Sequence, residues 1–253
     1  MTQTIGFIGS GAISSQVARL AVAAGMDVIL SNTRGPESLS ALISELGNRA
    51  RAATPAEAAR DAELVVASIP FYAYSKLSAE ALAGKVVIDT MNYYPERDGH
   101  MPEIDTARVA TSELVQRHLS RSRVVRALNN MDWVRLRSRA RPVGASDRSA
   151  LPIASDDAEA KAAVSGFLGA IGYDAVDLGP LADSWRSEPT TPVYVLPYLG
   201  TVPSDVRPEA ARAWFLQAPG APVSVQQVKT LVARAVRHER MFGDVGPLPG
   251  AAI

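Results

Sequence analysis

Short apolar runs alternate with amphipathic segments through most of the chain, and few architectures satisfy that alternation. A run of four or five aliphatic residues buries both faces of a strand only when helices cover the sheet on each side, so the pattern predicts βα units and a largely parallel sheet. The first strand is read at Thr4 to Ile8, followed by a helix whose Ile13, Val17, Leu20 and Ala24 form one apolar stripe. A second strand runs from Val28 to Leu30 after Asp27, and Pro36 to Leu46 reads as a helix stopped by Gly47. Thr54-Pro55-Ala56-Glu57 combines an N-cap, a first-turn proline and a capping-box glutamate, a strong helix start. Leu64 to Ser68 and Lys85 to Asp89 read as strands four and five, with a helix between them beginning near Pro70. Thr111 to Leu119 reads as a helix and Val124 to Leu128 as a sixth strand.

The stretch Met131 to Asp147 is arginine-rich and weakly patterned, which puts a domain boundary near its end. The expected organisation is a first domain over 1–147 and a smaller C-terminal α/β domain over 148–253. The second begins with a strand at Leu151, a helix from Asp156 with Glu159 as its capping partner, and a strand from Ala175 to Leu178. Prolines 189, 192, 197, 203 and 208 mark an irregular connection before helical segments at Glu209 to Gln217 and Val223 to Arg240, and the last ten residues read as a frayed tail.

Composition narrows the chemistry. Twenty-six basic and twenty-six acidic residues cancel, which argues against nucleic acid or anionic membrane as a primary partner. The absence of cysteine removes disulfides, thiolate nucleophiles and Cys-ligated metals, and His100, His118 and His238 are too widely spaced to suggest a metal site. With neither a secretory leader pattern nor 18 consecutive apolar residues, a cytoplasmic protein is expected.

The turn Gly9-Ser10-Gly11-Ala12-Ile13-Ser14 follows the first strand and opens the first helix, the context a dinucleotide fingerprint requires. Gly9 permits the tight turn, Gly11 lets a pyrophosphate approach the backbone, the helix N-terminus offers free N–H groups, and Ser14 is small enough to replace the third glycine. The expected fold is therefore a Rossmann-type doubly wound parallel sheet carrying the smaller second domain. At the end of the second strand, where an acid would bind the ribose of NAD, the chain has Ser31-Asn32-Thr33-Arg34. Nothing there repels a 2′-phosphate, and Arg34 can form charge-assisted bonds to it, so NADP(H) is favoured.

Residues just beyond strands four and five should border the cofactor: Ile69, Pro70, Phe71 and Tyr72, then Asn92, Tyr93 and Tyr94. The aromatics could stack on rings or simply pack. Tyr72 and Lys76 match a Tyr-x-x-x-Lys pair, but their position and the glycine spacing do not fit short-chain dehydrogenases, and no remaining lysine is a convincing catalytic counterpart. No proton donor is evident near the strand ends. Hydride transfer between two redox cofactors needs none, because the rings carry the chemistry and the protein stacks them in register. No catalytic side chain is therefore expected.

The chain resembles NADPH-dependent reductases of the deazaflavin coenzyme F420. The similar stretches are Ile5 to Gly11, Ser31 to Arg34, Ile69-Pro70 plus an aromatic, Arg123 to Asn129, Ser155 to Asp157 and Asp177 to Leu181. The resemblance implies NADP on the glycine turn, its nicotinamide near Ile69 and Pro70, and F420 stacked in a cleft closed by the C-terminal region. Phe71, Tyr72, Tyr93, Asn129 and Asn130 are expected to line the second-substrate pocket, Asn129 by the same resemblance, which also implies a homodimer. Met91 to Thr106 departs from the archaeal pattern, and the tail beyond about residue 200 is longer. The nucleotide module also resembles the reductase part of membrane ferric reductases, where a flavin occupies the second site. Alternative readings are an NADPH-dependent reductase of a flavin, quinone, imine or small carbonyl compound, and a non-catalytic NADP sensor. Arg135, Arg137, Arg139 and Arg141 alternate, so an extended segment would set them about 6.6 Å apart on one side, a docking row for the anionic tail of F420 or a set of solvated charges.

Overall fold

A computed structural model of the protein describes residues 3–203 and 207–237. In chain order the elements are β1 (Thr4–Ile8), α1 (Ala12–Ala23), β2 (Asp27–Ser31), α2 (Ser40–Leu46), β3 (Ala50–Ala52), α3 (Pro55–Asp61), β4 (Leu64–Ala67) and β5 (Val86–Asp89). They continue as α4 (Pro95–Asp98), α5 (Pro102–Asp105), α6 (Thr111–His118), β6 (Arg123–Arg126), α7 (Trp133–Ser138), β7 (Ala150–Ile153), α8 (Ala158–Ala170) and β8 (Asp174–Asp177). Short helices α9 (Leu196–Leu199), α10 (Pro208–Gln217) and α11 (Val225–Ala233) follow.

Six strands form one parallel sheet in the order β3-β2-β1-β4-β5-β6. This is the doubly wound Rossmann-type arrangement, with its switch point between β1 and β4. Central strands are buried along their length, as Val65-Val66, Val86-Val87-Ile88 and Val124-Val125 require. Beyond β6, an antiparallel bridge between Arg126 and Ala154 leads to the parallel pair β7-β8. One apolar cluster runs from Ile5 and Phe7 in β1 to Leu151 in β7 and Phe167 in α8, so both regions draw on a shared core. No helix among the described residues is long and apolar enough to cross a membrane.

Helix packing follows side-chain size. Gly6 is required because α3 packs directly on β1, where a Cβ would stand 2.4 Å from the Ala58 carbonyl oxygen. The deepest face of α1 is Ser14, Val17, Ala18 and Ala21, rotated from the expected stripe. Small residues bring the helix close to the sheet, leaving Ile13 and Leu20 on its flanks and Ala24 exposed. At α3, Thr54 accepts the Glu57 N–H at 3.3 Å and Glu57 accepts the Thr54 N–H at 2.8 Å. Thr54→Ala is expected to cost about 1 kcal/mol and lower the Tm by about 2–4 °C, measured by calorimetry.

Three local expectations change. The segment after Pro70 is a 3₁₀ run, Phe71–Lys76, in which residues three apart eclipse and Phe71 stacks on Tyr74 at 5.1 Å. The cap of α8 is Asp157, whose carboxylate accepts the Ala160 N–H, while Asp156 accepts the Leu181 N–H at 3.0 Å. The arginine stretch is not extended, because Asp132 caps α7 and winds it into helix. Arg135 is buried over the Phe215 ring, Arg139 and Arg141 both pair with Asp147, and Arg137 alone of the four is exposed. They do not form a row. The end of the segment expected to be helical to Arg240, His238 and the tail lie outside the described residues.

Candidate active site

The C-terminal ends of β1, β2 and β4 meet around the glycine turn. Gly9 has φ +99°, and a Cβ on it would lie 2.1 Å from the Ser68 carbonyl oxygen, so the turn admits only glycine. Its N–H donates to the Ser31 carbonyl at 3.1 Å. Gly11 differs: a Cβ there would meet nothing within 4 Å. The protein's own packing makes no demand for glycine at this position, and the free space lies at the entry of α1. This suits a bound pyrophosphate, so the residues present fit a dinucleotide.

Ser31 is buried and its hydroxyl donates to the Phe7 carbonyl at 2.7 Å, so its side chain ties β2 to β1 instead of facing a ligand. Asn32 organises the neighbouring loop, donating to the Ser10 hydroxyl at 3.0 Å and accepting the Arg34 N–H at 2.8 Å. Thr33 and Arg34 are exposed beside it, and Arg34 has no ion-pair partner among the described residues. Asp27 is at the opposite end of β2, paired with Arg49 at 3.1 Å.

A cleft of about 380 Å³ begins at Ala12 and Ile13 and passes Ile69 and Pro70 after β4. Its floor includes Met91, Asn92 and Asn129, and its far wall is Tyr194, Val195 and Phe215. Of the residues expected in the second-substrate pocket, only Asn129 lines it. Phe71 and Tyr93 are fully buried in the core, and the Tyr93 hydroxyl donates to Asp105 at 2.8 Å. Tyr72 is half exposed outside the cleft. Asn130 is buried behind the wall, donating to the Val193 carbonyl at 3.1 Å and the Tyr198 hydroxyl at 3.0 Å. Successive side chains of an extended strand end point to opposite sides, so Tyr94 enters the cleft where Tyr93 enters the core.

Beneath the floor lies a polar network. Arg126 and Asp89, both without exposed side-chain surface, pair at 3.3 Å, and Asp89 also accepts the Ser112 hydroxyl at 2.6 Å and the Met91 N–H at 2.9 Å. Arg126 also donates to the Met91 carbonyl and, at 2.8 Å, to Asn92. Asn92 donates to the Asn129 carbonyl at 2.8 Å, and Asn129 to the Ser187 carbonyl at 2.7 Å. Thus the ends of β5 and β6 are fixed to the segment that becomes the far wall.

The Tyr94 and Tyr194 hydroxyls bond to each other across the cleft, and Arg97 lies 4.9 Å over the Tyr94 ring. Burial pushes both phenols above their ordinary range, Tyr194 the further, so both are neutral. Leu128 and Val195, on floor and wall, have φ +60° and +52°, a left-handed conformation costing non-glycine residues about 1–3 kcal/mol. Asp132, Trp133, Tyr194, Val195 and Phe215 were not singled out from sequence. Asp132 offered a usable signal, a capping residue before Trp-Val-Arg-Leu, whereas the wall residues sit in or beyond a proline-rich connection with none. No group of three or more His, Asp or Glu residues among the described residues is placed to hold a metal ion.

The family described as NADP oxidoreductase, coenzyme F420-dependent, matches residues 4–93. Among solved structures, a hypothetical protein, SMa0349, from Sinorhizobium meliloti is 25% identical with TM-score 0.68, covering 78% of this chain and 94% of that one. A candidate F420-dependent NADP-reductase from Arthrobacter sp. FB24 is 26% identical with TM-score 0.61, covering 72% and 86%. The metalloreductase STEAP3 of Rattus norvegicus is 29% identical over 196 residues, which is 76% of this chain and 37% of that protein.

Proposed function

Residues 4–93 belong to the family of F420-dependent NADP oxidoreductases, and from that premise we propose that the protein transfers hydride between NADPH and a deazaflavin of the F420 type. The observation that carries this reading is the continuity of the glycine turn with the cleft through Ala12 and Ile13. A nucleotide held on the turn, with its 2′-phosphate at Arg34, would extend toward Ile69 and Pro70. The cleft volume falls within the range of small-molecule sites. NADPH would supply the hydride, and Ile69, Pro70, Met91 and Tyr194 line the space proposed for a second ring. The stacked rings need positioning above all, which the Arg126 network and the two strained residues provide.

The test is to mix the purified protein with NADPH and F420 and follow the deazaflavin absorbance, with flavin, quinone, imine and carbonyl acceptors in parallel. Bleaching of F420 at the expense of NADPH is expected. Turnover restricted to another acceptor reassigns the second substrate, and NADPH binding without turnover on any acceptor favours the sensor reading.

A further inference from the structure

Arg97 is the one basic residue among those lining the cleft. Its side chain keeps 43% of its exposure, and its guanidinium lies 4.9 Å over the Tyr94 ring. Nε donates to Asp98 Oδ1 at 2.9 Å, and Nη2 donates to Asp98 Oδ2 at 2.9 Å and to the Asn92 carbonyl at 2.6 Å. Those bonds and the stacked ring fix the plane and rotation of the group. Nη1, with two N–H donors, has no hydrogen-bond partner among the described residues.

Asp98 has no exposed side-chain surface and also accepts the backbone N–H groups of Tyr72 at 3.2 Å and Tyr94 at 2.8 Å. Its charge is shared among several donors, so it does not fully offset the guanidinium at the free Nη1 edge. Fastening α4 to its surroundings uses Nε and Nη2; Nη1 is surplus to that task. Through Tyr72 and Asn92 the group is anchored to the chain leaving β4 and β5, whereas the phosphates of a nucleotide are expected at the ends of β1 and β2. Asp132, the one acid in the cleft lining, caps α7 with Oδ1 and has Oδ2 buried, so it presents no carboxylate oxygen to compete for Arg97. An arginine edge already held rigid loses little freedom when an oxyanion binds, and the charge-assisted bond discriminates against a neutral ligand.

We propose that Arg97 Nη1 binds an oxyanion, phosphate or carboxylate, carried by the second substrate, an inference that rests on the hydride-transfer reading. The acceptor is thereby narrowed to ring compounds bearing an anionic side chain, and Arg97 is the residue that selects them over neutral rings.

The test titrates NADP⁺-loaded protein, in which the nucleotide's own phosphate sites are filled, with ligands that differ only in charge. F420 is compared with the same deazaflavin lacking its anionic tail, and FMN with riboflavin, each followed by ring fluorescence. A flavin with a carboxymethyl side chain separates carboxylate from phosphate recognition. In the wild type the anionic member of at least one pair is expected to bind about ten- to hundredfold more tightly, the equivalent of one charge-assisted bond. Arg97→Gln should abolish that preference while the neutral members and NADPH keep their Kd within twofold. If the single variant folds poorly because Asp98 is left unpaired, Arg97→Gln combined with Asp98→Asn should repeat the result without a buried charge. Equal affinity for charged and neutral members, no binding by any of them, or a preference that survives both variants overturns the proposal, as does a tenfold weaker Kd for NADPH. Turnover with affinities independent of Arg97 removes the anion site alone. A preference that depends on Arg97 without NADPH oxidation by any acceptor upholds the anion site and removes the hydride-transfer reading.

Discussion

Arg126→Met is expected to destabilise the protein by about 3–5 kcal/mol, the cost of leaving a buried carboxylate without its counter-charge. The carboxylate is Asp89, with no exposed side-chain surface and Arg126 as its ion-pair partner. Methionine fills much of the same volume, so the loss reports charge and hydrogen bonding more than a cavity. Arg126 also donates to Met91 and Asn92, so the damage should reach the cleft floor. Adding Asp89→Asn should recover part of the loss, because asparagine can still accept from Met91 and Ser112 without an unpaired charge. Urea denaturation of the single and double variants measures both effects. A single variant within 1 kcal/mol of wild type would mean that water enters and solvates Asp89.

Arg34→Ala is expected to weaken NADPH binding ten- to hundredfold while leaving NADH nearly unchanged. A charge-assisted hydrogen bond contributes about 1.5–3 kcal/mol, and only NADPH has the 2′-phosphate to accept it. The loop is already shaped for this, because Asn32 holds the Arg34 backbone and the Ser10 hydroxyl. Arg34 has no competing ion pair among the described residues, so a ligand phosphate need displace no carboxylate. Fluorescence titration with each nucleotide separates the cases, and equal loss for both would show that Arg34 supports the loop instead of reading the phosphate.

Strands and helix starts were legible in the sequence where one local rule governed them. β4, β5 and the Thr54 cap are fixed by aliphatic runs and by a four-residue hydrogen-bond pattern. Legibility failed where a distant partner decides. Asp89 and Arg126 look like solvated strand ends until pairing of β5 with β6 sets them opposite each other. Tyr93 and Tyr94 are indistinguishable as residue types, and only the direction of the chain leaving β5 assigns one to the core and the other to the cleft. Tyr194 is a hundred residues from Tyr94 and follows prolines whose sequence signal is irregularity alone. Alternation of the four arginines would make a row only in an extended chain, whereas Asp132 starts a helix there, Arg135 and Arg139 turn inward, and Arg139 and Arg141 pair with Asp147.

The far wall of the cleft is attached to the end of the sheet by side-chain bonds and by the Val195 N–H, which donates to the Asn130 carbonyl at 2.9 Å, without strand pairing. Asn129 holds Ser187, Thr111 holds Glu188 at 2.6 Å, and Asn130 holds Val193. The wall therefore depends on these bonds for its place over the cleft, while the glycine turn and Arg34 stand at the ends of β1 and β2. Recombination that keeps Thr111, Asn129 and Asn130 but replaces residues 190–200 would change what the cleft accepts and leave nucleotide preference intact. Such an attachment gives one nucleotide module a direct route to many acceptors.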